Sequence, residues 1–202
     1  MSKSEQILAY AIRGALYLNI TDRCTLACAF CPKYNGSTQV HDYELAMDHM
    51  PSAEELIAAI GDPKAYSEIV FCGYGEPTLR LKVLLQVADW VKQQGGRVRL
   101  NTDGLANRVN KRNVLPEMQG KIDVLSVSLN AQNEAVYNQH CRPELDGSYA
   151  DMLEFLRLAP GYVPEVVATA IDGLEGVDIA ACQQIAAELG VKFRARYLDR
   201  VG

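Results

Sequence analysis

No stretch of this 202-residue chain approaches the roughly 18 consecutive apolar residues of a membrane helix, although hydrophobic residues make up 49% of it. Neither does any lysine- or arginine-rich block appear: 20 basic residues against 25 acidic ones leave a net charge of -5. That balance argues against a membrane partner and against nonspecific nucleic-acid binding, which needs a basic surface, while leaving room for a local basic pocket. A basic, apolar signal segment is missing at the N-terminus, so the expected compartment is the reducing cytoplasm, where disulfides do not persist. Internal linkers and low-complexity tracts are also lacking. At 22.3 kDa the expectation is one domain over residues 1–202, large enough to build a core without disulfides.

What the sequence does have is a concentration of thiols. Cys24-Thr-Leu-Ala-Cys28-Ala-Phe-Cys31 places three of the six cysteines within eight residues, spaced C-x3-C-x2-C. Buried structural cysteines scatter through a core and do not cluster in this way. A zinc knuckle would need a fourth soft or imidazole ligand, for which His41 and His49 are the nearest candidates. Three thiolates suit three corners of a cuboidal iron-sulfur cluster better, and no obvious fourth cysteine stands beside them. The remaining iron is then open to bind and activate a small molecule.

On these residues the chain resembles the radical S-adenosylmethionine (SAM) enzymes, with the aromatic Phe30 immediately before the third cysteine. Further elements fall in that family's order. Cys72-Gly73-Tyr74-Gly75-Glu76-Pro77-Thr78 is similar to its GGEP element, Leu100-Asn101-Thr102-Asp103-Gly104 to its NTNG element, and Val127-Ser128-Leu129-Asn130-Ala131 to its SLDA strand end. Tyr74, Asp103 and Asn130 depart from those patterns. The order, with His140-Cys141-Arg142-Pro143 following, is most similar to the small TatD-linked branch.

The resemblance implies that Cys24, Cys28 and Cys31 hold a [4Fe-4S] cluster whose open iron chelates the methionine part of SAM. It also implies that Phe30 lies by the adenine, that Gly73, Gly75 and Glu76 contact SAM, and that Asn101 and Asn130 reach its ribose. A one-electron reductant such as flavodoxin or ferredoxin is implied as a partner. The implied reaction is reductive cleavage of SAM to a 5′-deoxyadenosyl radical that abstracts hydrogen from a small-molecule, peptide or protein substrate. Two other readings remain open: a glycyl-radical activating enzyme working on a partner protein, and an iron-sulfur electron carrier or sensor.

Apolar and β-branched runs predict strands at Ala15–Ile20, Glu68–Cys72, Val98–Asn101, Val124–Leu129, Pro164–Ala170 and Val191–Tyr197. Helical spacing lies between them. Ser52-Ala53-Glu54-Glu55 reads as a capping box leading into Leu56, Ile57 and Ile60, with Gly61 as a stop. Leu84, Val87, Ala88 and Val91 mark a second helix before Gly95-Gly96, and Ile179, Cys182, Ile185, Ala186 and Leu189 a third, with Cys182 facing the core. Alternation of this kind predicts an α/β fold, a partial (β/α)6 barrel with a mostly parallel sheet of the radical SAM type. Ligands of such folds bind at the carboxyl ends of the strands, where the cysteine loop and the glycine element fall together.

Other polar residues carry two readings each. Glu76 accepts from SAM or holds its own loop; Asn101 and Asn130 meet a ligand or cap helices; Asp103 shapes a turn or touches ligand. Arg194 and Arg196 alternate on one face of the last strand, pointing into the cleft or making surface ion pairs. The long connection 33–50 is the candidate lid or substrate-facing loop.

Overall fold

The computed structural model describes residues 6–197. β1 (Ala9–Ile12) and β2 (Ala15–Leu18) form a hairpin closed by Arg13-Gly14, with left-handed φ values of 49° and 83°. Such a two-residue turn matches the twist of its flanking strands. The following segment contains β3 (Gln39–Val40) and β4 (Tyr43–Glu44), which pair antiparallel as a separate small sheet. Helices and strands then alternate: α1 (Ala53–Ile60), β5 (Ile69–Phe71), α2 (Leu81–Gln93), β6 (Val98–Thr102), α3 (Ala106–Asn110), α4 (Leu115–Met118) and β7 (Val124–Ser128). The remainder is α5 (Glu134–Cys141), α6 (Ser148–Leu158), β8 (Glu165–Asp172), α7 (Ile179–Glu188) and β9 (Lys192–Tyr197).

The main sheet runs β1-β2-β5-β6-β7-β8-β9, and every neighbouring pair after β1-β2 is parallel. Among the described residues β1 and β9 do not pair, so the sheet is an open, partial (β/α)6 barrel with one added antiparallel strand. Its six parallel strands are the six expected ones, with ends displaced by a residue or two where pairing stops. β1 is additional. Four residues long, it becomes a strand because β2 would otherwise present a bare edge.

Strand alternation divides the sheet into two unlike faces. Leu16, Leu18, Ile69, Phe71, Val98, Leu100, Leu125, Val127, Val166, Ala168 and Ala170 are all buried in the main core, which the helices cover. Leu84, Val87, Ala88 and Val91 supply that core from α2, and Cys182 supplies it from α7, as their spacing predicts. The alternate positions carry Tyr17, Arg99, Asn101, Ser126, Ser128, Thr169, Arg194 and Arg196. The same inner face also carries Val70, Val124 and Ile171, buried but outside the main core, so it mixes polar and apolar side chains where a purely structural parallel sheet is normally apolar throughout.

α1 begins as the sequence predicts. Glu55 N–H donates to Ser52 Oγ at 3.2 Å and Ser52 N–H donates to Glu55 Oε2 at 2.7 Å, a reciprocal capping box. Residues 33–50 are anchored along the β1 side of the sheet. Leu45 is fully buried, the Asn19 amide donates to its carbonyl at 3.0 Å, and the Tyr43 hydroxyl donates to the Ala11 carbonyl at 3.1 Å. The Tyr43 ring also packs on Tyr10 at 5.2 Å between centroids.

Candidate functional site

The chain leaves β2 through the buried residues Asn19, Ile20 and Thr21 and enters an irregular loop carrying Cys24, Cys28 and Cys31. A loop without a regular ladder must place its backbone hydrogen bonds elsewhere. On one side the Glu76 N–H donates to Arg23 O at 2.7 Å, and the Thr25 hydroxyl donates to Asp103 Oδ2 at 3.0 Å. On the other, Ala27 N–H donates to Cys141 O at 3.0 Å, Ala29 N–H to His140 O at 2.8 Å, and Glu144 N–H to Thr25 O at 3.0 Å. Leu26, bridged to Pro143, is buried between these two supports. Lys33 Nζ also donates to Asp22 O. The cysteine loop is therefore clamped between the glycine element after β5 and the end of α5.

All three loop cysteines are free and half-buried. The Leu26 N–H points at Cys24 Sγ from 3.4 Å, an amide placed to stabilise negative charge on that sulfur. Burial pushes the Cys24 thiol up to about 12, helped by the nearby Asp103 and Glu76 carboxylates. Cys28 is pushed up as well, first by its hydrogen bond to Cys141 and then by burial, while the same bond lowers Cys141. Charge on Cys24 or Cys31 raises Cys28 further. Three thiolates on one loop require a cationic partner, and bound metal reverses the balance by displacing their protons.

Among the described residues no three Cys, His, Asp or Glu side chains converge on a single metal ion. A cuboidal cluster makes a different demand, because each of its irons takes one thiolate and the ligands need not share a centre. Three thiols on one loop, one for each of three irons, are a donor set that a cluster can use.

Glu76 and Asp103 form a buried acidic pair beneath the loop, 4% and 6% exposed. Glu76 Oε1 accepts from Thr78 N–H at 2.9 Å, from the Thr78 hydroxyl at 2.6 Å and from the Thr102 hydroxyl at 2.8 Å. Its Oε2 accepts from Asp103 N–H at 2.7 Å. The carboxylate ties the glycine element to the end of β6. Asp103 accepts from Leu105 N–H at 2.9 Å, which shapes its turn, and its carboxyl is raised well above the usual range by burial and then by Glu76.

Gly75 is a glycine because of the cysteine loop itself. A Cβ there would stand 2.3 Å from the Arg23 carbonyl oxygen and 2.8 Å from Arg23 N, both backbone atoms that cannot swing aside. Gly73 has a φ of +60° and sits against the backbone of Leu18, Ile20 and Thr21. The Tyr74 hydroxyl donates to Ser37 O, so this bulky departure from the glycine pattern reaches toward the 33–50 segment.

Phe30 is half-buried against the core, and Asn101 lies on the inner face, accepting from Arg99 Nη1 at 2.9 Å. Asn130 is buried just past β7 with a left-handed φ of 60°. Its amide donates to Cys141 Sγ at 3.3 Å, and its Oδ1 accepts from Arg196 Nη2 at 3.3 Å. A run of side chains, Cys141-Asn130-Arg196, thus crosses the rim. The sequence places Cys141 only in the unassigned run after the third element. Its approach to Cys28 depends on α5 packing back beneath the loop. A surface cleft of about 730 Å3, lined by Thr25, Asn107, Arg108, Val109, Lys111 and Leu145, shares only Thr25 with the cysteine loop and lies apart from the inner face.

A parallel β/α sheet with a three-cysteine loop at the carboxyl end of its first parallel strand defines an α/β fold built to carry a cofactor at its rim. Residues 18–189 match the Radical SAM superfamily, and the chain belongs to it. The cofactors of that family are a [4Fe-4S] cluster and SAM, and its members are enzymes. SuiB of Streptococcus suis, solved bound to precursor peptide SuiA, superposes with a TM-score of 0.67 at 11% identity, covering 93% of this chain and 40% of SuiB. SuiB bound to S-adenosylmethionine gives a TM-score of 0.65 at 10% identity, covering 92% and 41% respectively. Methylornithine synthase (PylB) gives a TM-score of 0.61 at 13% identity, covering 92% and 53%. This chain therefore spans about half or less of the length of these structures, and the likeness is one of fold. No curated protein matches it significantly. No described helix is long and apolar enough to cross a membrane.

Proposed function

We propose that Cys24, Cys28 and Cys31 are the cluster ligands of a radical SAM enzyme that abstracts hydrogen from a substrate held on the inner face of the sheet. The observation that carries this reading is the position of three half-buried thiols on one loop at the strand ends, a loop tied to the Glu76-Asp103 pair through Arg23 and Thr25. When bound, the reduced cluster supplies the electron that cleaves the sulfonium bond of SAM, leaving methionine and a 5′-deoxyadenosyl radical. The chain supplies position and enclosure. Backbone at Gly73 to Glu76, the Phe30 ring, Asn101 and Asn130 border the place for SAM, with Glu76 acting through the loop it holds. Cys141 and the Leu26 amide surround the cluster ligands with hydrogen-bonding groups.

Residues 33–50 form the outer wall on the β1 side, where Tyr74 meets Ser37, and close over a substrate of small-molecule, peptide or protein class. Electrons come from a flavodoxin- or ferredoxin-like donor in a reducing cytoplasm.

The test is anaerobic reconstitution with iron and sulfide, followed by SAM and reductant, with 5′-deoxyadenosine and cluster content measured together. Product is expected from the native protein, with most iron and product lost in Cys28→Ser. A normal cluster and undiminished product in that variant would overturn the ligand assignment. Shortening 33–50 is expected to reduce a substrate-coupled product more than uncoupled SAM cleavage; equal losses would make the segment structural.

A further inference from the structure

The last strand carries two arginines that, among the described residues, face no acid. Arg194 and Arg196 lie two residues apart on β9, opposite Thr169 and Ile171 of β8, so both project from one face of the sheet. Each reaches inward across β8. Arg194 Nη2 donates to Ser126 Oγ on β7 at 3.4 Å, and Arg196 Nη2 donates to Asn130 Oδ1 at 3.3 Å. These are long bonds to neutral groups. Among the described residues neither arginine belongs to any ion pair. The Arg196 Nε is buried with no hydrogen-bond partner among them.

Arg99, on the same inner face, shows what a structural arginine looks like here. It pairs with Glu68 at 2.9 Å, donates to the Tyr17 hydroxyl at 3.2 Å and to Asn101 at 2.9 Å, and lies over the Tyr17 ring. Burial instead lowers the proton affinity of Arg196; the nearby Cys72 thiol works against that lowering and the neighbouring charge of Arg194 adds to it. Arg194 is exposed and Arg196 is half-buried; a half-buried cation without a charged partner is costly, and guanidinium donors are shaped for the paired oxygens of a carboxylate or phosphate.

We propose that Arg194 and Arg196 bind an oxyanion on the substrate, a carboxylate or a phosphate, across the inner face from the cysteine loop. The anchor fixes one end of the substrate so that a carbon–hydrogen bond elsewhere in it faces the strand ends. This deepens the radical SAM reading and rests on it. Arg196 reaches Asn130, whose amide donates to Cys141 Sγ at 3.3 Å, and the Cys141 carbonyl accepts from Ala27 N–H of the cysteine loop at 3.0 Å, which places the anchor on the cluster side of the inner face.

The experiment measures binding of inorganic phosphate and of succinate to the reconstituted protein by calorimetry, with and without SAM. Native protein, Arg194→Gln, Arg196→Lys, the double variant Arg194→Gln/Arg196→Gln and the surface control Arg97→Gln are compared. Expected are binding to native protein, a loss of about tenfold or more in the double variant, unchanged binding in Arg97→Gln and unchanged SAM affinity throughout. Arg196→Lys keeps the charge and is expected to retain partial binding, which separates anion recognition from misfolding. Preference for phosphate identifies a phosphorylated substrate; preference for succinate identifies a carboxylic acid. Failure of both anions to bind native protein, or equal binding in the double variant, overturns the proposal. Lower SAM affinity in the arginine variants overturns it in favour of a role in holding the SAM carboxylate. Because anion binding is also read without SAM or reductant, it stands apart from the reconstitution assay that tests the radical SAM reading.

Discussion

The middle and the edge of the sheet handle charge in opposite ways. Around β5 and β6, Glu76 accepts four hydrogen bonds from Thr78, Thr102 and Asp103, and Arg99, lower on β6, has both an acid and a phenol beside it. At the β9 end, among the described residues, Arg194 and Arg196 meet only the neutral oxygens of Ser126 and Asn130, and one guanidinium nitrogen is buried with nothing to bond. A polar group whose valences are filled by its own chain is part of the architecture. One held in place with valences unfilled is kept for something that arrives later.

That contrast breaks most visibly at Glu76. Glu76→Ala removes the shared acceptor of four buried donors and is expected to cost about 3 kcal/mol, read by denaturant unfolding. A loss under about 1 kcal/mol would place Glu76 with the ligand-binding groups, since a mean hydrogen bond contributes no more than that. Gly75→Ala comes next, at about 2 kcal/mol, because the new methyl has to displace backbone at Arg23. The displaced loop is expected to hold less iron after reconstitution. Weaker SAM binding on a normal cluster would instead show that Gly75 serves the ligand directly.

Asp103→Asn sharpens the comparison through pH. The folded-state carboxyl is raised by burial and by Glu76, so the native protein holds its proton more tightly than the unfolded chain does. Stability from Asp103 is therefore complete below the ordinary aspartate value of 3.8 and falls as pH rises through the raised folded value. An amide in its place carries no such slope, so the variant is expected to gain in melting temperature relative to native protein as pH increases. Parallel stability profiles across pH would contradict the buried-pair account. Arg157→Gln, whose partner Glu154 is on the open surface of α6, is expected to change neither melting temperature nor SAM cleavage.

Much of the scaffold could be read along the chain because it depends on local periodicity. The capping box at Ser52, the helical face of α2 and the six parallel strands all follow from spacings within a dozen residues. β1 escaped that reading because four residues, Ala-Tyr-Ala-Ile, are too short a run to call and become a strand only when a partner edge is present. Glu76 and Gly75 were legible as important and less so as to why. Their neighbours, Thr102, Asp103 and Arg23, are brought to them by the sheet and by the returning cysteine loop.

The chemistry available to this protein is written along the chain, because three thiols at C-x3-C-x2-C spacing and a strand-helix alternation are properties of neighbouring residues. Which polar side chains are already satisfied and which are waiting is settled by the folded arrangement alone. Arg99, Arg194 and Arg196 are the same residue type on the same face of one sheet, and what separates them is a carboxylate, Glu68, one strand away from the first. Hydrogen-bond satisfaction is set by distances between strands far apart in the chain, and no spacing along it records them.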